Sequence, residues 1–382
     1  MNVPRGFRAV GVKAGIKRSG KADLALLCAD VPLAWALTST QNILQAACVQ
    51  RNRQLYASGA PLRALLINSG NANCATGQRG DANNRAMASA AAEVLELPDA
   101  SAVLTASTGI IGEHLPMDKL QAAIPQLLPQ LSDDLSSAAQ AILTTDLVPK
   151  SAQVELPGGA RIVGIAKGSG MIHPNMATML AFVLTDAQIS QDSLREIWPD
   201  IVDDSFNQLT VDGDTSPNDM AVVCSSQQLP ADAQALRQGL LEVCQSLAEQ
   251  IAADGEGASK LIHVQVQGAE SREQARRAAR AVVSSSLVKS AAHGNDPNWG
   301  RIVSAVGAAQ AVPDLAKLQV FVQDVLVYHG EPLPFDAEAL SAKMASERLL
   351  IRLDMASGEA AAQAWGCDLT ADYVRINADY HT

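Results

Sequence analysis

The residues with the clearest capacity for chemistry lie between Lys167 and Asp186. A glycine-rich turn, Lys167-Gly-Ser-Gly-Met-Ile-His-Pro174, leads to Ala177-Thr178 and then into an apolar segment of strand character, Met179 to Leu184. A threonine at the head of a strand, preceded by a small residue, is what an N-terminal nucleophile needs before it has cut itself free. Its hydroxyl attacks the carbonyl of Ala177, the peptide becomes an ester, and water releases two chains. Thr178 then carries a free α-amine beside its own hydroxyl. An α-amine has a reference pKa of about 7.7–8.0, so it accepts the hydroxyl proton near neutral pH. The competing reading is a buried strand entered through a Gly-Pro turn.

Three other stretches could contribute groups. Thr108-Gly109 ends a short strand, and a threonine followed by glycine can aim a hydroxyl and a bare backbone N–H at one point, as an oxyanion hole requires. A simple turn is the alternative. Glu256 sits between Gly255 and Gly257, with little side-chain shielding, and can reach into a cleft or remain a solvated turn residue. The run from Leu209 to Met220 resembles a calcium loop until Pro217 and Val223 fail the EF-hand pattern, which leaves a structural acidic turn.

The elements that must position these groups follow from periodicity. Ala22–Cys28, Leu62–Ile67 and Ala102–Ala106 read as strands, and Ala152–Leu156 with Ala160–Ala166 as a hairpin around Pro157-Gly158-Gly159. Asn68 to Cys74 forms a tight loop rich in amides. Asp81 is expected to cap a helix that Pro98 stops. Helices are expected over Met117–Leu131, Asp133–Leu143, Ser190–Ser205, Asp232–Ala253 and Ser271–Val283, then from Asp296 through Ala311 and over Asp336–Ser346. Ile262, Val264 and Val266 alternate with polar residues as in a half-buried strand. Two short strands span Leu318–Tyr328, and Arg348–Asp354 with Glu359–Leu369 form a strand pair. The tail to Thr382 alternates apolar residues without a solvated end. Strand-rich halves separated by helices imply an α/β/β/α-type layered sandwich.

Composition narrows the function. The chain of 382 residues is long enough for two subdomains. A formal charge of −11 and only 3% aromatic residues argue against nucleic acid, which needs basic surface and stacking platforms. The first residues lack a signal-peptide core, and no run reaches membrane-spanning length, so a cytoplasmic location is expected, with no membrane partner. The six cysteines are scattered without a Cys-x-x-Cys pair, which predicts reduced, mostly buried thiols. No metal or cofactor is expected.

These stretches together resemble the ornithine acetyltransferase (glutamate N-acetyltransferase) family of arginine biosynthesis, over Gly6 to Thr382. The resemblance rests on Gly6-Phe-Arg-Ala9, Thr144-Thr-Asp146 with Pro149-Lys150, Met176-Ala-Thr-Met-Leu180, Thr210-Val-Asp-Gly-Asp-Thr-Ser216 and Asp296-Pro-Asn-Trp-Gly-Arg301. Leu37-Thr38-Ser39-Thr40-Gln41-Asn42, and Leu147 in place of a third threonine, depart from the family pattern. The resemblance implies self-cleavage at Ala177–Thr178, giving an α chain of residues 1–177 and a β chain of 178–382 with a smaller C-terminal subdomain from roughly residue 270. It implies Thr178 as the acetyl-carrying nucleophile and Thr108 with Gly109 as the oxyanion pair. Thr144 or Thr145, Lys167, Glu256, Asn377 and Thr382 are implied as substrate contacts. The Asn-rich loop becomes a wall of the site, and the Asp296–Arg301 run is architectural. Lys167 is the natural partner for a carboxylate and Glu256 for an ammonium. The implied substrates are N-acetylornithine and glutamate, and the implied assembly an oligomer of αβ units. Acetyl-CoA as a second acetyl donor is left open, since family members differ. The rivals are a self-cleaving aminopeptidase of the same fold and a non-catalytic protein that never cleaves.

Overall fold

The computed structural model describes residues 1–173, 179–312 and 314–379. Its first half is built on one strand. Strand β2 (Leu24–Ser39) runs for 16 residues and serves two layers. Its first half lies between β1 (Phe7–Val12) and β3 (Leu62–Asn71), both antiparallel to it, and β3 pairs in parallel with β4 (Val103–Ile110). Its second half pairs with β8 (Met220–Leu229). Beyond β8 lie β7 (Leu180–Ala187), β6 (Arg161–Lys167) and β5 (Lys150–Glu155). The β2–β3 register breaks between Cys28 and Leu33, where Pro32 can give no ladder hydrogen bond.

Alternation then decides the layers. Leu180, Phe182 and Leu184 face the same core as Leu27, Leu65, Ile67 and Leu104, so the two sheets stack face to face. Ala181 and Val183 point the other way, onto α5 (Gln191–Asp203) and α6 (Ala233–Ala253). On the opposite outer face, Leu24, Leu26, Leu66 and Val103 pack on α2 (Gly77–Val94) and α3 (Met117–Ala123). Helices α1 (Ala47–Ser58) and α4 (Ser136–Ala141) supply Cys48, Val49 and Ala138 to the core between the sheets. Helix, sheet, sheet, helix is the predicted sandwich.

A separate five-stranded sheet follows in the order β11 (Val325–His329), β10 (Gln319–Val322), β12 (Arg348–Asp354), β9 (Leu261–Ala269), β13 (Ala360–Cys367). Its apolar face is packed by α7 (Arg272–Ser284), α8 (Ser286–His293), α9 (Trp299–Ala308) and α10 (Ala337–Met344). Trp365 of β13 reaches back into the core under α5 and α6, and its carbonyl accepts from Thr210 N at 3.0 Å. The six thiols are free and buried, as expected.

Several local expectations are corrected. Arg348–Asp354 and Ala360–Cys367 do not pair with each other, because β9 lies between them, parallel to one and antiparallel to the other. Asp81 does not cap α2, which begins at Gly77 behind Thr76. The long helix expected over 117–131 stops at Ala123 and continues as two short 3₁₀ turns, each carrying a proline (Pro125, Pro129) in its first positions. The tail is not strand-like. It forms α11 (Ala371–Asp379), whose side chains stay out of the core.

Phe182 is 1% exposed at the centre of the inter-sheet core, so Phe182→Ala is expected to lower stability by about 3–5 kcal/mol in urea unfolding. Val374→Ala on α11, where the side chain is 64% exposed, is expected to stay within about 0.5 kcal/mol.

Candidate active site

The site is assembled from strand ends and loops that a buried ion cluster ties together. Lys150, at the start of β5, is fully buried. Its Nζ donates to Asp146 Oδ1 at 2.5 Å and to Asp254 Oδ2. Asp146 also accepts from Thr144 N at 2.9 Å and Gly168 N at 2.7 Å. Asp254 accepts from Leu147 N at 3.0 Å, and its carbonyl accepts from Ser169 Oγ at 2.7 Å. Glu256 N donates in turn to Ser169 O at 2.9 Å. Loops 144–148, 168–170 and 254–256 are thus one unit. Burial works to raise the Asp146 pKa, but the charges of Lys167 and Lys150 overcome it and hold the carboxyl down at about 2.

Thr108 and Gly109 lie inside the β3–β4 ladder, opposite Ser69 and Gly70, rather than in a turn after it. Gly109 has φ +131°, and a Cβ there would stand 2.3 Å from the Gly70 carbonyl carbon. Only glycine fits both constraints. Lys167, at the end of β6 and 3% exposed, places Nζ 3.4 Å from Thr108 Oγ1. Burial pulls the lysine's pKa down, against the pull of Asp146, Asp219 and Glu256 upward.

Glu256 crosses Gly170 closely: a Cβ on that glycine would lie 2.4 Å from the carboxylate. Asn377 Nδ2 of α11 donates to Glu256 Oε2 at 3.0 Å. Helix α11 is held there by Thr370, whose hydroxyl donates to Gly257 O at 2.7 Å and accepts from Tyr373 N at 3.2 Å. Thr108, Gly109, Thr144, Thr145, Lys167, Glu256 and Asn377 therefore line one cavity of about 200 Å³. The Thr144 hydroxyl is turned to Asp146 Oδ2 at 3.4 Å, whereas Thr145 makes no side-chain hydrogen bond among the described residues. Ala177, Thr178 and Thr382 fall outside the described residues. Met179, the residue after Thr178 in sequence, is buried, and its carbonyl accepts from Met220 N at 3.2 Å.

The acidic turn has two roles, of which the sequence suggested one. Asp212 is structural: it accepts from Met171 N at 2.6 Å and Ile172 N at 2.8 Å, fixing the chain beside Gly170. Ser216 and Asn218 of the same segment line the cavity. Asp219 beside them is fully buried, and burial pushes its carboxyl well above the usual range against the pull of Lys167. Asp146, Lys150, Asp254, Asn218 and Asp219 were not singled out as site residues from sequence. Asp146 and Lys150 stood inside a quoted motif, which was the available signal; the partner of Lys150 more than a hundred positions away had none. Among the described residues no cluster of His, Cys, Asp and Glu is arranged to hold a metal ion, and no helix is long and apolar enough to cross a membrane.

Comparison with known proteins gives the following. The ArgJ family model matches residues 8–382. The arginine biosynthesis bifunctional protein ArgJ of Thermus thermophilus is 51% identical over 385 residues, covering 100% of both chains. Its counterpart in Deinococcus radiodurans is 51% identical over 380 residues, covering 99% of this chain and 97% of that one. Among solved structures, the bifunctional protein ArgJ of Bacillus halodurans is 38% identical, with a TM-score of 0.50 over 52% of this chain and 98% of that chain. The ornithine acetyltransferase of Mycobacterium tuberculosis, crystallised with ornithine, is 41% identical, with a TM-score of 0.43 over 45% of this chain and 94% of its own.

The ion cluster sets an expectation. Lys150→Met keeps the bulk of the stem but takes the bridging cation from Asp254 and leaves Asp146 with Lys167 alone, and should cost about 3–5 kcal/mol in urea unfolding. The Asp146 pKa is depressed from 3.8 to about 2, so its contribution is complete above the unfolded value and disappears as pH falls through the folded one. Stability of the wild type should therefore drop between about pH 4 and pH 2, and Asp146→Asn should flatten that part of the profile.

Proposed function

This chain belongs to the ArgJ family, and from that premise we propose that it moves an acetyl group from N-acetylornithine to glutamate through an acetyl ester on Thr178. The observation that carries the reading is the convergence of Thr108, Gly109, Lys167, Glu256 and Asn377, drawn from four distant parts of the sequence, on one cavity. In this scheme the Thr178 hydroxyl first attacks the Ala177 carbonyl, and hydrolysis of the resulting ester frees the α-amine. That cut separates an α chain of residues 1–177 from a β chain of 178–382 whose smaller C-terminal subdomain begins near residue 270.

In the first half-reaction Thr178 Oγ attacks the acetyl carbonyl of N-acetylornithine, and the α-amine takes its proton. The C–N bond breaks, the nitrogen leaves with a proton, and ornithine departs. In the second half-reaction the α-amine of glutamate attacks the ester carbon, the C–O bond breaks, and Thr178 recovers its proton. The Thr108 hydroxyl and the Gly109 N–H are the donors to the oxyanion in both steps. Lys167 takes a substrate carboxylate, Glu256 an ammonium, and the unengaged Thr145 hydroxyl is the better placed of the two threonines to contact substrate. Asn377 and Thr382 close the cavity, keeping water from the ester. No cofactor takes part; acetyl-CoA serves as a second donor to the same threonine, a reading that the relatives' bifunctional name supports. The cleaved αβ units assemble into a larger oligomer, and a cytoplasmic site of action fits a biosynthetic enzyme of this class.

Intact mass under denaturing conditions, before and after brief exposure to N-acetylornithine, tests the scheme. Two fragments are expected, with the β chain gaining one acetyl group. Fragments without acetyl transfer to glutamate point instead to an aminopeptidase-like hydrolase, and an uncut wild-type chain sinks the mechanism. Thr178→Ala should remain uncut, and Thr108→Ala should reduce kcat by about 10²–10³-fold.

A further inference from the structure

The second half of the acidic turn holds a group that the proposed scheme leaves idle. Asn218 is 4% exposed, and its Nδ2 donates to Ala72 O at 2.7 Å and to Ser107 O at 2.8 Å. Ser107 immediately precedes the oxyanion pair. Those two bonds fix the amide, because a flip would set its oxygen against two carbonyl oxygens. Oδ1 is consequently held on the side away from them, buried and without a hydrogen-bond partner among the described residues. The residue lines the cavity together with Thr108, Gly109 and Lys167.

A buried acceptor left unpaired costs free energy, and one that borders a cavity is explained by a donor that enters it. An amide oxygen is an uncharged acceptor. It selects against a substrate carboxylate and for an N–H. Among substrate atoms, one N–H-bearing atom is common to both half-reactions proposed above: the nitrogen that loses the acetyl group in the donor and gains it in the acceptor.

We propose that Asn218 Oδ1 accepts the N–H of this reacting nitrogen, making Asn218 a substrate-contacting catalytic residue. In the donor the contact orients the scissile amide against the oxyanion pair. In glutamate it occupies one N–H of the neutral α-amine and leaves the lone pair directed at the ester carbon. This inference rests on the acetyl-transfer reading.

The test is a chemical double-mutant cycle read by acetylation of the β chain. Wild type and Asn218→Ala are each given N-acetylornithine and its O-acetyl ester analogue, in which oxygen replaces the reacting N–H. The variant should acetylate about 10- to 100-fold more slowly from the amide and equally fast from the ester. Its acetyl-enzyme should also react more slowly with glutamate. An equal loss with both donors, or no loss with either, overturns the assignment. Should Asn218→Ala fail to self-cleave, Asn218→Ser, which retains one donor for the carbonyl clamp, is put through the same cycle. Failure of both variants to mature also overturns the proposal, because the amide is then a structural clamp. A wild type that never acquires acetyl from N-acetylornithine refutes the acetyl-transfer reading itself, a distinguishable result.

Discussion

The arrangement of this site depends on a lysine held out of water between two carboxylates. Lys150 bridges Asp146 and Asp254, which lie 108 positions apart in sequence (254 − 146), and both acids also receive backbone N–H groups. Removing such charges from water costs several kcal/mol per ion, so the cluster is a poor source of net stability. Its value is directional. Each carboxylate has several acceptor positions, and here they are filled by N–H groups from loops that would otherwise be independent. The loop bearing Thr144 and Thr145, the turn after Lys167 and the turn before Glu256 are thereby fixed relative to one another without a shared secondary-structure element.

Close backbone approach is the second constraint. β3 and β4 carry Gly70 and Gly109 opposite each other, and the parallel ladder irregularity there leaves no room for a side chain. Gly170 plays the matching part on the other wall, where the Glu256 carboxylate occupies the volume that a Cβ would need. The floor and wall of the cavity are therefore defined by where side chains are missing. The charged groups reach in over those gaps.

What could be read from the sequence follows from this physics. Strand character is local, so Met179 to Leu184 was legible as a buried apolar strand, and the layered sandwich followed from strand-rich halves separated by helices; which of its residues face which layer is fixed only by the fold. The helix starts at Ser190, Asp232 and Ser271 were equally legible, and each of these residues caps its helix, because a cap and the helix it serves are neighbours in sequence. The position of β9 between β12 and β13 was not, since strand order depends on contacts across some ninety residues. Prolines at 125 and 129 were visible but underweighted against an apolar helical pattern. In the site, Thr108, Gly109, Lys167, Glu256 and Asn377 were named through family resemblance, and the fold places them around one cavity. Asn218 and Asp219 escaped notice because a segment with many acids reads as a solvated turn. Only burial distinguishes Asp212, which anchors a loop, from Asp219, whose carboxyl is closed off beside Lys167.

Lys167 links the electrostatic frame to the chemistry. Its Nζ donates, over a long 3.4 Å, to Thr108 Oγ1. A hydroxyl that accepts one hydrogen bond is polarised and gives its own hydrogen more strongly to the next acceptor. The lysine thus leaves the threonine proton free for an acceptor in the cavity, which in the proposed scheme is the oxyanion. The downward pull of burial on the lysine does not undo this, because a neutral amine still carries N–H donors. Asp146 and Asp219 offset part of that pull and bias the group toward its charged form. The buried acids that hold the loops in place therefore also tune the donor that stands behind Thr108.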